Sequence, residues 1–433
     1  EHPILVLDKK LFKCDRKYGS CFVSQGKKER CFKLVGEYKK DCEHLNRKFI
    51  PDWKKISDVN PGDYISVSFP RFVSTNIFYI KDFLPYKDNV LLNGKIMQKR
   101  SNASFFMSER DFLKKTPKPV NNEIIFDEDM MLYIGYFLAE GHIGQDKNHI
   151  TFTFGAKEKD YIKDTVRITK EKFGIDSFVT ENQDNSVDVT VHNVFVAKFF
   201  YKLMGTGFDK KKLIPELMFI DPKYQQYLLV GVFRGDACSV CHGIKLTMCN
   251  DFLISQLYEI SLRCGLSPYI AKGKKMPILG TMIPSHLIIN VRKDEKFIRL
   301  INKDLHKINT DLDRNTGVIL RYFWHEDNFY TKVLKSKKIK IKDYVYNLQV
   351  EDDETYCIEN LQVHNCYIGA TSDNIEGIFD AYHIQSLLSK YGGGIGWDWS
   401  KVRAQQSMID GHKNVGGGIV PFLKIENDVA IAV

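Results

Sequence analysis

The chain has 433 residues, 43% of them hydrophobic and 12% aromatic, which at roughly 150 residues per domain suggests about three core-forming units. Its formal charge of +9 permits a polyanionic partner, and no apolar run reaches the length of a membrane-spanning helix. Collagen, coiled coil, a secreted disulfide scaffold and a disordered tail are excluded by the same composition. The N-terminus has no basic lead, so a signal peptide is not expected, and the ten cysteines read as reduced thiols in a cytoplasmic setting.

The first 70 residues read as short strands: Pro3–Leu7, then Trp53–Val59 leading into the turn Pro61-Gly62-Asp63, then Tyr64–Val67. Cys14, Cys21, Cys31, Cys42 and His44 interrupt them at spacings unlike Cys-x-x-Cys, so a Zn2+ site and free thiols are the two readings there. Residues 71–120 are basic and loop-like, a linker or a DNA-contacting arm. Strand signals return at Tyr344–Val350 and Thr355–Ile358. The layout predicts a β domain split around an inserted α/β domain.

The middle of the chain repeats itself. One copy holds Leu132–Gly141 and the other Leu228–Ala237, each with two small residues four apart: Gly135 and Ala139, Gly231 and Gly235. Small residues at that spacing share one helix face and let two backbones approach. A carboxylate follows directly in each copy, Glu140 and Asp236, so packing on those faces sets two acids together at helix C-termini. Like charges there repel each other and meet the negative ends of the helix dipoles, and a divalent cation relieves both penalties. Strand, helix and alternating strands follow each acid, giving a pseudo-twofold α/β unit whose antiparallel strands could straddle a DNA groove. This pattern resembles the single-chain, two-motif LAGLIDADG homing endonucleases. The resemblance implies Mg2+ as cofactor, double-stranded DNA as partner, Glu140 and Asp236 as metal-binding catalytic acids, and Lys212 as the basic residue near the scissile phosphates. Cys238-Ser239-Val240-Cys241-His242 matches the haem-attachment string, but its place after a catalytic acid argues against haem.

Val363-His364-Asn365-Cys366 is a second constellation. An asparagine amide can attack its own backbone carbonyl and break the peptide bond, a neighbouring histidine can protonate the leaving amine, and a cysteine thiol can accept an acyl group. Together with Val345–Asp353, Ile50–Lys55, Asn60–Ile65 and Glu1–Val6, it resembles the blocks of inteins, with His2 as the histidine of the N-terminal block. Glu354 and Asn347 stand where the family has a helper histidine and an aspartate. No cysteine or serine precedes His2 as that family would have it, so the first splice junction is expected outside this N-terminally truncated fragment.

The charge changes at the same junction, from +11 before residue 366 to −2 after it. Residues 366–433, carrying Ser372–Ile378, Ser389–Gly396 and Lys401–Ala404, resemble the large subunit of ribonucleotide reductase. That resemblance implies Cys366 as one of the redox thiols, Asp373 and Arg403 as binders of the allosteric nucleotide effector, and a ribonucleotide substrate and a small reductase subunit as partners. The expected fold is multi-domain: a split all-β hedgehog/intein (HINT) splicing domain at 1–85 and 326–365, a basic linker at 86–120, an α/β endonuclease at 121–325, and an α/β fragment of the reductase barrel at 366–433. A degenerate intein that binds DNA without cutting it is the alternative, and no membrane partner is expected.

Overall fold

The computed structural model describes residues 3–9, 50–84, 89–98, 117–240, 243–273, 283–290, 294–301, 322–325, 327–339, 355–358, 360–364, 367–390, 395–408 and 417–432. The chain divides into two compact units, one of Glu1–Phe69 with Thr316–Val433 and one of Pro70–Asn315. Among the described residues no helix is long and apolar enough to cross a membrane.

In the first unit, segments far apart in sequence share one antiparallel sheet. Its strands run in the order Tyr322–His325, Asn328–Lys332, Tyr64–Val67, Pro3–Leu7, Leu361–His364, Thr355–Ile358, with Asp52–Lys55 also paired to Pro3–Leu7. Ile4, Val6, Val59 and Val363 form its small core. The predicted turn works by a buried carboxylate. Asp63 accepts from the backbone N–H groups of Lys9 at 3.0 Å and Asn60 at 2.9 Å, so its burial is compensated. Gly62 has φ +102°, which suits glycine, and both it and Asp63 exchange backbone bonds of 2.8 Å with Val333. Asn360 adds another tie, its amide donating to the Ser68 carbonyl at 3.1 Å. The two halves are therefore knitted strand by strand.

One boundary differs from the expected one. Tyr322–His325, assigned by sequence to the end of the inserted domain, belongs to this sheet, where Trp324 lies 5.8 Å from Phe69 and 5.2 Å from Phe329, ring centre to ring centre. Aromatic burial decides the placement. The predicted strand at Tyr344–Val350 lies outside the described residues.

The C-terminal part of this unit holds a βαβ arrangement. Tyr367–Ala370 pairs in parallel with Ile395–Asp398 through the helix Ile375–Lys390. Ile378, Tyr382 and Trp399 make its core, while the helix Val420–Ala432 buries no residue.

The second unit begins at Pro70, well before residue 121. Phe78 and Ile96 enter its core, and Ile77–Tyr79 pairs with Glu123–Ile125. The expected loop at 71–120 therefore contains strands, among them the hairpin of Asn89–Leu92 with Lys95–Gln98. Asn93 and Gly94, at φ 50° and 73°, make the tight turn that this dipeptide favours.

At the centre the helices Glu128–Glu140 and Pro222–Asp236 pack backbone to backbone. A Cβ built on Gly135 would lie 2.3 Å from the Leu228 carbonyl oxygen, and one on Gly231 2.5 Å from that of Leu132. Gly135→Ala is accordingly expected to lower stability by about 3 kcal/mol. Ala139→Gly, by contrast, should cost only about 1 kcal/mol, as helix propensity alone dictates. Urea unfolding followed by helical circular dichroism measures both.

Each helix feeds a four-stranded antiparallel sheet of the same connectivity. The first is ordered Gly141–Ile143, His149–Gly155, Ser186–His192, Phe178–Glu181; the second Ala237–Val240, Gly243–Met248, Ser285–Asn290, Pro268–Lys272. In both, the strand order follows one rule, so the repeat read in the sequence is a structural duplication. Phe152, Phe154 and Val189 on one sheet, and Ile244, Leu246 and Leu287 on the other, turn inward to the same core.

Candidate active site

Local sequence sets where each acid ends up. Asp127 caps the first helix by accepting from Met130 N–H, and Asp221 caps the second by accepting from Lys223 N–H, with Pro222 at the first helical position. Gly141 and Ala237 are extended, at ψ 149° and 150°, so each helix stops at its carboxylate and becomes a strand at the next residue. The small residues then close the gap. A Cβ on Gly235 would lie 2.6 Å from the Ala139 Cβ and 2.8 Å from Glu140 Oε1, which places Glu140 against the last turn of the helix that carries Asp236.

Glu140 is half-buried and its carboxyl is pushed up to about 7, first by loss of water and then by the charges of Asp236 and Glu158, with Lys211 opposing. Asp236 reaches the surface, yet the packed helix ends strip water from its carboxyl and push it up to about 6, again against Lys211. Lys211 is buried and drawn down to about 8 by desolvation, which the two acids oppose. Its Nζ donates to the carbonyls of Phe137 and Leu138, both at 2.9 Å, capping the end of the first helix.

Lys212, expected beside the scissile phosphates, is exposed; the lysine coupled to both acids is Lys211. The segment is extended with alternate residues inward. Asn250 Nδ2 donates to the Lys211 carbonyl at 2.6 Å and Gln256 Oε1 accepts from Leu213 N–H at 2.9 Å, which fixes Lys211 and Leu213 inside and Lys212 outside. Arg234 was not singled out by sequence. Its Nη1 donates to Tyr136 Oη at 2.8 Å, tying the two helices together within one turn of the acids.

Two carboxylates raised by crowding and dehydration fit a hard, oxygen-seeking divalent cation, which stabilises their charged forms. Among the described residues no group of three or more His, Cys, Asp or Glu side chains gathers to hold a metal. The linkage has a definite sign. Folded carboxyls raised to about 7 and about 6 cost the metal-free fold stability as pH rises from the unfolded range near 4 through those values. Mg2+ should therefore raise the unfolding temperature at about pH 8 and leave it nearly unchanged at about pH 5. A thermal-shift titration with and without Mg2+ measures this.

The other residues singled out by sequence divide by place. His364 ends the strand Leu361–His364, and the pairing of Val363 with Ile4 sets that strand beside Pro3–Leu7. His2, Asn347, Glu354, Asn365 and Cys366 lie outside the described residues, as do Cys14, Cys21, Cys31, Cys42 and His44 with the Zn2+ reading, and Cys241 and His242 of the haem-like string. Cys238 is an exposed free thiol. Asp373 and Arg403 are brought together, but onto each other: Arg403 Nε donates to Asp373 Oδ2 at 2.8 Å and its backbone N–H to Oδ1 at 3.0 Å. These bonds hold the Asp373 carboxyl below its ordinary range.

Comparison with known proteins divides along the same junction. Residues 364–433 match the ribonucleotide reductase barrel domain. Over 72 residues the chain is 69% identical to the alpha subunit of ribonucleoside-diphosphate reductase of Helicobacter pylori, which is 17% of this chain and 9% of that protein. The chain thus spans under a tenth of the length of this curated reductase relative. Across 398 residues it is 26% identical to an uncharacterized protein of Methanocaldococcus jannaschii, covering 88% of this chain and 44% of that one. Among solved structures, the homing endonuclease I-DmoI in complex with DNA and Mn aligns with 41% of this chain and 97% of its own, at 11% identity and a TM-score of 0.32. The similarity to the ribonucleotide reductase barrel domain is thus confined to the C-terminal segment.

Proposed function

We propose that the chain is an intein with a nested LAGLIDADG homing endonuclease, interrupting the large subunit of a ribonucleotide reductase. The observation that carries the nuclease reading is the pair of acids. Glu140 and Asp236 end two glycine-packed helices, and each is followed directly by one of two identically connected sheets. One site between two equivalent sheets suits a long, pseudo-symmetric duplex.

Bound between these carboxylates, Mg2+ would supply Lewis-acid help to phosphodiester hydrolysis. The chain's own residues do the rest. Glu140 and Asp236 present ionised oxygens, and Lys211 holds the end of the first helix in place while offsetting their negative charge. Hydrolysis adds water at phosphorus and breaks one phosphorus–oxygen bond of each strand.

The splicing reading is supported by the split sheet, whose strands come from both sides of the inserted segment in sequence and interleave. At the junction the Asn365 amide nitrogen would attack the Asn365 carbonyl carbon, closing a succinimide as the bond to the Cys366 nitrogen breaks. His364 would protonate that departing amine. In the spliced host, Cys366 would serve as a redox thiol in the reduction of ribonucleotides, with Asp373 and Arg403 at the effector site.

The test is cleavage by the full chain, with Mg2+, of a duplex carrying the uninterrupted reductase coding sequence. Cutting that EDTA abolishes, and that spares the interrupted sequence, supports the reading. Binding without cutting would leave a degenerate intein.

A further inference from the structure

The two sheets are duplicated in backbone but not in the chemistry of their open faces. In the first, Thr153 pairs across strands with Asp188; in the second, Thr247 pairs with His286 at the equivalent register, counted from the strand that follows each acid. The threonine does the same work in both. Thr153 Oγ1 donates to Asp188 Oδ1 at 2.7 Å, and Thr247 Oγ1 shares a hydrogen bond of 3.0 Å with His286 Nδ1. Their flanking inward residues, Phe152 and Val189 in one sheet and Leu246 and Leu287 in the other, are fully buried, so Asp188 and His286 face away from the core.

Asp188 is the anomaly. Directly opposed and nearby positions on its face include Thr153 and Thr180 on the two flanking strands, Ser186 and Thr190 on its own, and His149, Thr151 and His192 beyond, so it is the one carboxylate among them. No described residue donates to its Oδ2. A carboxylate is repelled by phosphate, and the face that meets a polyanion is a costly place for one unless it points at base edges. There it has a specific use, since it accepts from the N4 amino group of cytosine in the major groove. Thr153 fixes the side chain and leaves the second oxygen as the reading atom. The second sheet cannot read the same way. His286 gives one nitrogen to Thr247 and packs its Nε2 against Gly273, where a Cβ would lie 2.9 Å away.

We infer that Asp188 is a specificity-determining residue that selects a cytosine in the half of the duplex under the first sheet, with no counterpart in the other half. This rests on the nuclease reading above and names a base for it.

The experiment is selection of bound duplexes from a fully randomised pool by the full chain, Asp188→Asn and Asp188→Ala, each checked for an unchanged unfolding midpoint. Asparagine both donates and accepts and pairs with adenine. The wild-type chain should enrich a cytosine that Asp188→Asn replaces by adenine, and Asp188→Ala should flatten that preference by about tenfold. Identical enriched sequences for all three chains, with no cytosine affected, overturn the inference and leave the nuclease reading standing. Failure of the wild-type chain to enrich any sequence overturns both. Should one variant not fold, the other still decides.

Discussion

Glu140→Gln and Asp236→Asn should each slow duplex cleavage by about a thousandfold or more, because each removes an anionic metal ligand worth several kcal/mol at the transition state. Duplex affinity should stay within about tenfold, since affinity for a duplex comes chiefly from cationic side chains that neutralise phosphates, and neither substitution removes one. The two substitutions are close in shape to the native side chains, so the glycine-packed helix ends should remain as they are. They also remove a charge that the site disfavours. Both carboxyls are pushed up by dehydration, so the metal-free amide variants should be at least as stable as the native chain at about pH 8 and should lose most of the stabilisation by Mg2+. Single-turnover cleavage, a gel-shift titration and a thermal scan measure the three quantities. Equal cleavage rates in native and variant chains would remove these acids from the chemistry. An equal loss of binding would make them structural instead.

The acids were legible in sequence because their positions are governed by a local rule. Two helices can meet backbone to backbone only where residues four apart are small, and the next residue is then fixed at the end of the contact. The Gly135/Ala139 and Gly231/Gly235 pairs state that rule twice. The lysine was not legible at the same precision. Lys210, Lys211 and Lys212 are chemically alike, and which one turns inward depends on Asn250 and Gln256, some forty residues away. The hairpin around Asn93-Gly94 carried a strong turn signal that the surrounding basic residues obscured. Tyr322–His325 could have served as a strand in either unit, and its pairing with Asn328–Lys332 together with the packing of Trp324 on Phe69 and Phe329 decides between them. Asp373 and Arg403 show a further limit: a resemblance identifies both residues, but their mutual hydrogen bonds appear only in three dimensions.

Asn365→Ala should abolish release of a fragment beginning at Cys366, a product that the native chain should form over hours and that intact-mass spectrometry resolves. His364→Ala should slow that release by about a hundredfold or more, the range in which a positioned general acid contributes. The expectation depends on order at the end of the strand Leu361–His364. Val363 pairs with Ile4 and is buried, Tyr356 pairs with Val363 from the other side, and Asn360 is anchored to Ser68. All of these ties join residues of one unit and Glu140 belongs to the other, so junction chemistry should survive Glu140→Gln unchanged. A native chain of constant mass would show that a well-ordered strand is insufficient for cyclisation where Glu354 and Asn347 stand in the family's helper positions. Replacing Glu354 with histidine should then restore release, because the missing element would be a proton donor rather than the fold.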